Sequence, residues 1–248
     1  MKTIADYDQE IVKDPNNAEM YRLRGIEYSK TGDIESAFKD FEKAIQLDPN
    51  NAQTFINRGF IFELLSNSEQ AEDDYNKAIQ LDPKAADAYF NLGGVYYNYS
   101  ISSRDDTEQK NSFLDQSIIN YSKAIECDPK NASFYYFRGA AYDSKEEYNK
   151  AIKDFNQAIQ INPDYANAYY QRGRTYGKIK EFENEIKDFN KAIQMKPQEA
   201  DIYKARASIY EHELNDYTKA IADYEMVLQL EPDYAIAKTR IDILKMKT

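Results

Sequence analysis

Prolines punctuate this chain at an almost fixed interval, and that interval constrains its fold more than any other feature. Successive prolines are separated by 34, 34, 46, 34, 34 and 35 residues. They are Pro15, Pro49, Pro83, Pro129, Pro163, Pro197 and Pro232. Proline cannot continue a helix, because it lacks an N–H and clashes with the preceding turn. The regular spacing therefore predicts that one helix ends and another begins at a fixed phase of an internal repeat.

Small and aromatic residues recur at fixed positions between the prolines. If Ala18 is position 1 of the first unit, position 8 is small and positions 4, 11 and 24 are aromatic in every unit, while positions 20 and 27 are usually alanine. The residues at position 8 are Gly25, Gly59, Gly93, Gly139, Gly173 and Ala207. Positions 4, 8 and 11 share one helix face, and positions 20, 24 and 27 share a face of a second helix. Each unit is therefore predicted to be a pair of helices in close contact.

These recurring residues resemble the tetratricopeptide repeat over nearly the whole chain. The resemblance implies an all-α fold, a right-handed α-solenoid of helical hairpins, in which the first helix of each hairpin lines a concave groove. We expect one repeat array over 1–248. It comprises a half repeat (1–15), six repeats (18–51, 52–85, 86–131, 132–165, 166–199 and 200–234) and a C-terminal capping helix (235–248).

Three repeats depart from the pattern. Glu185 stands at position 20, where other repeats have Ala or Ser, which predicts a splayed hairpin or a glutamate that reaches solvent. Repeat 3 carries a polar insertion of 12 residues near 101–112, which we expect to be a flexible segment between its two helices. Repeat 6 has one extra residue near 213–216.

Arginine at position 7 and aspartate at position 23 recur together. The arginines are Arg24, Arg58, Arg138, Arg172 and Arg206, and the aspartates are Asp40, Asp74, Asp154, Asp188 and Asp223. In repeat 3 the arginine becomes Leu92 and the aspartate becomes Asn120. This joint change predicts an ion pair within every hairpin except the third.

The composition argues against catalysis and metal binding. His212 is the one histidine and cannot build a multi-histidine site, and Cys127 occupies a position that is apolar in the other repeats. The adjacent Gly93 and Gly94 lie inside a predicted helix, so no phosphate-binding loop is visible. We therefore expect no enzyme activity, no catalytic residue, no cofactor and no metal.

The net charge of −11 disfavours nucleic acid as a partner, because an acidic chain repels phosphate. No apolar stretch is long enough to span a membrane, and no signal peptide is visible at the start of the sequence. These observations predict a cytoplasmic protein; a secreted protein whose signal peptide had been removed would give the same pattern.

The resemblance also implies which residues face the groove, namely those at positions 2, 5, 6, 9, 12 and 13. Amide, aromatic and basic side chains at these positions suit a peptide, since amides offer a donor and an acceptor. The predicted groove residues are Asn57, Phe90, Asn91, Tyr97, Tyr136, Tyr170, Gln171, Arg174, Lys178 and Lys204. Among them Arg174, Lys178 and Lys204 are expected to form a basic cluster for an acidic group.

The leading functional hypothesis is a non-enzymatic scaffold that binds a peptide segment of a partner protein. Two alternatives stay open: a repeat domain of a larger enzyme or receptor, and a nucleic-acid-binding repeat protein. The half repeat carries Tyr7 and Ile11 in an interior pattern without a preceding helix. We expect upstream sequence or a second copy of the chain, forming a homodimer, to cover them; the alternative is a frayed helix.

Overall fold

Helices joined by short turns make up the protein. The computed structural model describes residues 2–103 and 105–247, and Met1, Arg104 and Thr248 lie outside that description. Within the described residues there are fourteen α-helices and no strand, and none of these helices is both long and apolar enough to cross a membrane. The chain divides into two compact units, 1–129 and 130–248, which are treated separately below.

The first unit contains one single helix and three helical hairpins. Its helices are α1 (Ile4–Lys13), α2 (Ala18–Thr31), α3 (Ile34–Leu47), α4 (Ala52–Leu64), α5 (Ser68–Leu81), α6 (Ala86–Ser102) and α7 (Thr107–Cys127). Helix α1 packs on α2, and the hairpins are α2/α3, α4/α5 and α6/α7. The first helices α2, α4 and α6 also contact one another in sequence, so they share one face of the unit.

The second unit contains three hairpins and a final single helix. Its helices are α8 (Ala132–Ser144), α9 (Tyr148–Ile161), α10 (Ala166–Lys178), α11 (Phe182–Met195), α12 (Ala200–His212), α13 (Tyr217–Leu230) and α14 (Ala235–Lys245). The hairpins are α8/α9, α10/α11 and α12/α13, and α14 packs on α13. The predicted all-α fold of stacked helical hairpins is confirmed.

Local sequence signals set the ends of the helices. Asn17 and Asn51 begin first helices and Asp33 begins a second helix, each accepting a hydrogen bond from a backbone N–H of the first turn. Helix α3 stops before Asp48, whose φ of −137° and ψ of 88° lie outside the helical region. This conformation follows from Pro49, because a residue before proline avoids the helical region.

Glycine at position 8 allows the two helices of a hairpin to touch. A Cβ atom added to Gly25 would lie 2.7 Å from Phe41 Cε1, and one added to Gly59 would lie 2.7 Å from Tyr75 Cε1. Both rings are almost fully buried. A glycine inside a helix costs about 1 kcal/mol relative to alanine. The close contact with the position-24 ring gives the physical reason for keeping it.

The predicted ion pair within each hairpin is confirmed. Arg58 donates from Nε and Nη2 to the Asp74 carboxylate at 2.8 and 2.7 Å. The same two-bond geometry joins Arg24 to Asp40, Arg138 to Asp154, Arg172 to Asp188 and Arg206 to Asp223. In the third hairpin Leu92 is buried, and Asn120 donates to the Gln116 carbonyl at 2.8 Å.

Three of these arginines, Arg24, Arg172 and Arg206, also contact the helix that precedes their hairpin, which the sequence pattern did not predict. Arg24 Nη1 lies 2.6 Å from an Asp8 carboxylate oxygen on α1. Arg172 and Arg206 donate in the same way to the side chains of Asn156 and Asn190. One guanidinium therefore connects the two helices of its own hairpin and the second helix of the hairpin before it.

The insertion in repeat 3 differs from the expected flexible segment. Helix α6 continues to Ser102 and α7 begins at Thr107, so most of the described insertion is helical. Asp106 caps α7, and Tyr99 packs on Phe113 with ring centroids 5.3 Å apart. This capping and aromatic packing stabilise both extended helices, which a count of polar residues does not reveal.

Glu185 neither splays its hairpin nor reaches solvent. Its side chain is buried, with the residue 8% exposed, and it lies against Gly177 at position 12 of the same repeat. A Cβ atom on Gly177 would lie 2.5 Å from each carboxyl oxygen of Glu185. Burial and, to a smaller extent, nearby Glu213 raise the pKa of Glu185 to about 7, and Arg174 opposes that rise.

Tyr7 and Asp6 of the half repeat find contacts within the chain that the sequence pattern did not predict. Tyr7 is 8% exposed, so the chain itself covers this ring. Asp6, which has no arginine partner, accepts hydrogen bonds from the Thr3 backbone N–H at 2.7 Å and the Thr3 hydroxyl at 2.8 Å, which caps α1. Val12 is 80% exposed. Covering of this helix by a second copy stays a prediction.

The third repeat provides a control for the energy of the arginine–aspartate pairs. We expect Arg58→Leu to lower the free energy of unfolding by ~3–5 kcal/mol, because it leaves the Asp74 carboxylate buried without its partner. The double change Arg58→Leu, Asp74→Asn copies the Leu92 and Asn120 combination and should recover most of that loss. Urea unfolding of both variants measures the difference. A double variant as unstable as the single one would contradict this account.

Glu185 should make stability depend on pH. Because the folded-state pKa of about 7 exceeds the ordinary glutamate value of 4.5, the folded chain holds this proton more tightly than the unfolded chain does. The free energy of unfolding should therefore fall by up to ~3 kcal/mol as the pH rises from about 4.5 to 7. Glu185→Gln should remove this slope and be more stable than the natural chain at pH 8. Thermal unfolding across pH checks both points, with Glu35→Gln, an exposed carboxylate on α3, as the control.

Candidate functional site

A pocket between the first helices of the second unit gathers four of the predicted groove residues. It has a volume of about 320 Å³. Its lining residues are Tyr136, Ala166, Asn167, Tyr170, Gln171, Arg174, Lys196, Glu199, Asp201 and Ile202. Tyr136, Tyr170, Gln171 and Arg174 were predicted from their repeat positions. We call this cavity the Arg174 pocket.

Arg174 is the feature that gives this pocket its chemistry. Its guanidinium carbon lies 5.9 Å from the centre of the Tyr170 ring. Among the residues that the structure describes, no carboxylate lies within 4.0 Å of its guanidinium nitrogens. Burial raises the pKa of the Tyr170 phenol, which therefore stays neutral beside it. The pocket thus presents an exposed, unpaired cation held over an aromatic ring.

Aromatic packing fixes the positions of the two tyrosines that line the Arg174 pocket. Tyr136 lies 5.9 Å from Phe155 and 5.0 Å from Tyr165, measured between ring centroids. Tyr170 lies 5.5 Å from Phe189 in the same measure. Both pocket tyrosines therefore rest on the core of their own hairpins, so the pocket exists before any ligand binds.

The three residues of the expected basic cluster do not line one pocket together. Lys178 Nζ lies 2.6 Å from an Asp143 carboxylate oxygen, which neutralises it. Lys204 pairs with Asp201 at 3.0 Å and Glu231 at 2.7 Å, and it lines neither pocket described for this unit. Asp201 lies three residues before Lys204 on the same helix, whereas the proximity of Asp143 and Glu231 to the lysines cannot be read from groove positions alone.

Lys196 is a pocket cation that the sequence analysis missed. Its ammonium group lies 3.1 Å from the Asn167 side-chain oxygen and 3.9 Å from Glu199. Lys196 precedes Pro197, a place where every other proline of the series follows an acid or an asparagine. A lysine at a position that otherwise holds an acid or an asparagine was the sequence signal that could have identified this cation.

A second cavity opens in the same unit beside Glu185. Its volume is about 390 Å³. Its lining residues are Arg174, Gly177, Lys178, Phe182, Glu185, Phe189, Ala205, Ser208, Ile209 and Glu213. We call it the Glu185 pocket. Arg174 lines both pockets of this unit, so it stands between them.

The remaining predicted residues lie in the first unit. Asn57, Phe90 and Asn91 line a largely apolar pocket of about 460 Å³ together with Ile56 and Phe60. Asn57 Oδ1 accepts a hydrogen bond from Gln53 at 3.2 Å, whereas its buried Nδ2 has no partner among the described residues. Tyr97 also belongs to α6, but it lies outside the lining of this pocket.

Solved structures with similar folds support the architecture. A chain of the APC/C hetero-tetramer Cut9–Hcn1 is 18% identical with a TM-score of 0.71; the match covers 96% of this chain but 44% of that one. MamA is 27% identical with a TM-score of 0.59, covering 71% of this chain and 96% of that one. YrrB, described as a TPR protein with an unusual peptide-binding site, is 22% identical with a TM-score of 0.62, covering 80% and 96%.

Family models match most of the sequence, whereas no curated protein sequence matches it. Models described as tetratricopeptide repeat match 18–51, 41–73, 120–153, 166–199 and 200–234, and a model described as TPR repeat matches 67–98 and 139–180. Together they span 18–98 and 120–234. The hairpins with their recurring glycine, aromatic ring and proline occupy these same residues. The chain belongs to the tetratricopeptide repeat family.

Proposed function

We propose that this chain is a non-enzymatic scaffold that binds a peptide segment of a partner protein in the Arg174 pocket. Protein–protein interaction is the general role of tetratricopeptide repeat proteins. The observation that carries the proposal is Arg174 itself, an unpaired guanidinium over Tyr170 in a preformed pocket. An acidic side chain or a terminal carboxylate of the partner is the group that it would bind.

The chemistry of the lining suits such a segment. A guanidinium offers two parallel N–H donors to a carboxylate, which is a stronger and more directional contact than a lysine provides. Tyr136 and Tyr170 provide apolar ring surface for a neighbouring side chain. Gln171 offers both a donor and an acceptor to a peptide backbone.

The two alternatives differ in how they relate to this pocket. A repeat domain of a larger enzyme or receptor would use the same groove residues in the same way. A nucleic-acid-binding role is disfavoured by the net charge of −11, and the neutralisation of Lys178 and Lys204 by carboxylates removes two of the cations that phosphate would need.

Reversing the charge of Arg174 should weaken peptide binding. An acidic peptide selected on the immobilised full chain from a displayed library serves as the probe, and fluorescence polarisation measures its dissociation constant. We expect Arg174→Glu to raise that constant by about tenfold or more, because a charge-assisted hydrogen bond is lost and a repulsion is added.

The matched control is Lys39→Glu. Lys39 is an exposed residue of α3 that pairs with Glu35, and its reversal changes the net charge by the same amount away from the pocket. Circular dichroism should show equal helicity in both variants. Equal binding by the Arg174→Glu variant and the natural chain would refute the proposed site.

We also propose that α1 mediates self-association, for which the exposed side chain of Val12 is the supporting observation. Sedimentation velocity over a concentration series should then show a dimer that Val12→Glu converts to a monomer, while Lys39→Glu leaves it unchanged. A natural chain that sediments as a monomer at every concentration would exclude this arrangement.

A further inference from the structure

Acidic side chains occupy position 12 in several hairpins, where each has a partner. In repeat 2 the Tyr75 hydroxyl donates to Glu63. In repeat 4 Asp143 contacts Lys178 at 2.6 Å and accepts a hydrogen bond from Thr175 at 2.9 Å; both partners belong to the next hairpin.

Repeat 6 follows the same rule. Buried Glu211 accepts a hydrogen bond from the Tyr224 hydroxyl at 3.0 Å and pairs with Arg240 of α14. In these three repeats the carboxylate at position 12 is therefore bound by the position-24 tyrosine of its own hairpin, by a cation from the next hairpin or the final helix, or by both.

Repeat 5 keeps the carboxylate but lacks both kinds of partner. Gly177 stands at position 12, and Glu185, on the facing helix, fills the space beside it. The position-24 residue is Phe189, which has no hydroxyl, and the repeat position of Lys178 is held in the next hairpin by His212, which lies against Glu211 and outside the Glu185 pocket. Within residues 2–103 and 105–247, no side chain donates a hydrogen bond to the Glu185 carboxyl group.

The Glu185 pocket surrounds this carboxyl group with a cation-binding environment. Glu213 at the end of α12 is the second carboxylate of the lining, and Phe182, Phe189 and Ile209 provide apolar walls. Of the two lining cations, Lys178 is already bonded to Asp143, and Arg174 lies over the Tyr170 ring.

We infer that the Glu185 pocket binds a lysine side chain of the partner segment, with its ammonium group between Glu185 and Glu213. A buried carboxylate without a partner is unfavourable, and an ammonium group removes that cost. The alkyl stem of lysine packs well on apolar and aromatic walls. The inference rests on the proposed function for the source of the lysine, and it gives that segment a basic residue beside the acidic one at Arg174.

A bound metal ion fits this pocket less well. Among the described residues no group of three His, Cys, Asp or Glu side chains is placed to hold one. Two carboxylates between aromatic walls match a single ammonium group, which is a compact point charge with three donors.

Lysine binding should strengthen as the pH rises through about 7, where Glu185 ionises. The charged groups that face Glu185 are Arg174 and Lys178 from α10 and Glu213 from α12. Of the two carboxylates in the lining, Glu213 is exposed at the end of its helix, whereas Glu185 is buried and its pKa is raised.

The test uses two small probes and the full chain. Nα-acetyl-lysine methylamide carries the ammonium group, and Nα-acetyl-norleucine methylamide has a similar stem without it. The ¹³C signal of the Glu185 carboxyl carbon reports on binding. We expect the lysine probe to move this signal at pH 8 and to lower the pH at which Glu185 titrates, while the norleucine probe does neither. Glu185→Gln should weaken lysine-probe binding about tenfold, and Glu35→Gln should leave it unchanged.

Two results would overturn the inference: equal effects of the two probes on the pocket signals, or unchanged lysine-probe binding after Glu185→Gln. The outcome is separable from that of the proposed function. If Arg174→Glu weakens acidic-peptide binding while the lysine probe leaves Glu185 unmoved, the function stands and this inference fails. If no displayed peptide binds while the lysine probe lowers the titration midpoint of Glu185, the ammonium site stands and the peptide function fails.

Discussion

A guanidinium has more hydrogen-bond donors than one carboxylate can accept, and the fold uses the surplus. In hairpin after hairpin, two donors of the position-7 arginine bind the aspartate of the facing helix. Another donor reaches back to the preceding hairpin, as from Arg172 to Asn156. Where both contacts are present, the same side chain therefore aligns the hairpin and its stacking on the previous one.

The third repeat shows that the arginine and the aspartate are kept or lost together. Leu92 and Asn120 replace both partners, and the asparagine finds a backbone carbonyl in its own helix. Removing both charges avoids leaving either one desolvated, which is why an apolar substitute can be tolerated where a single loss cannot. Glu185 and Gly177 are matched in volume in a similar way. The large side chain of Glu185 on one helix fills the space that is left free because Gly177 on the facing helix has no side chain.

The repeat fold could be predicted because proline spacing and the step of three or four residues are local properties. For the same reason four of the predicted groove residues, Tyr136 and Arg174 among them, line one pocket of the second unit, and their role in binding stays a prediction. Whether each charged side chain is paired with an opposite charge could not be predicted in this way. Lys204 is neutralised by Glu231, a residue 27 positions away, and only folding brings the two together. Glu185 was misjudged because its position was compared with the same position in other repeats and not with position 12 across the hairpin.

The contact between Gly177 and Glu185 also bears on the order in which sequences of this kind can change. A Cβ atom introduced at position 177 while the glutamate is present would lie 2.5 Å from its carboxyl oxygens, so the glutamate side chain would have to move. Replacing Glu185 by a smaller residue first removes that contact, and position 12 can then acquire an acid like Glu63 or Glu211 without it. A sequence that changes in this order passes through an intermediate with no acid at either position.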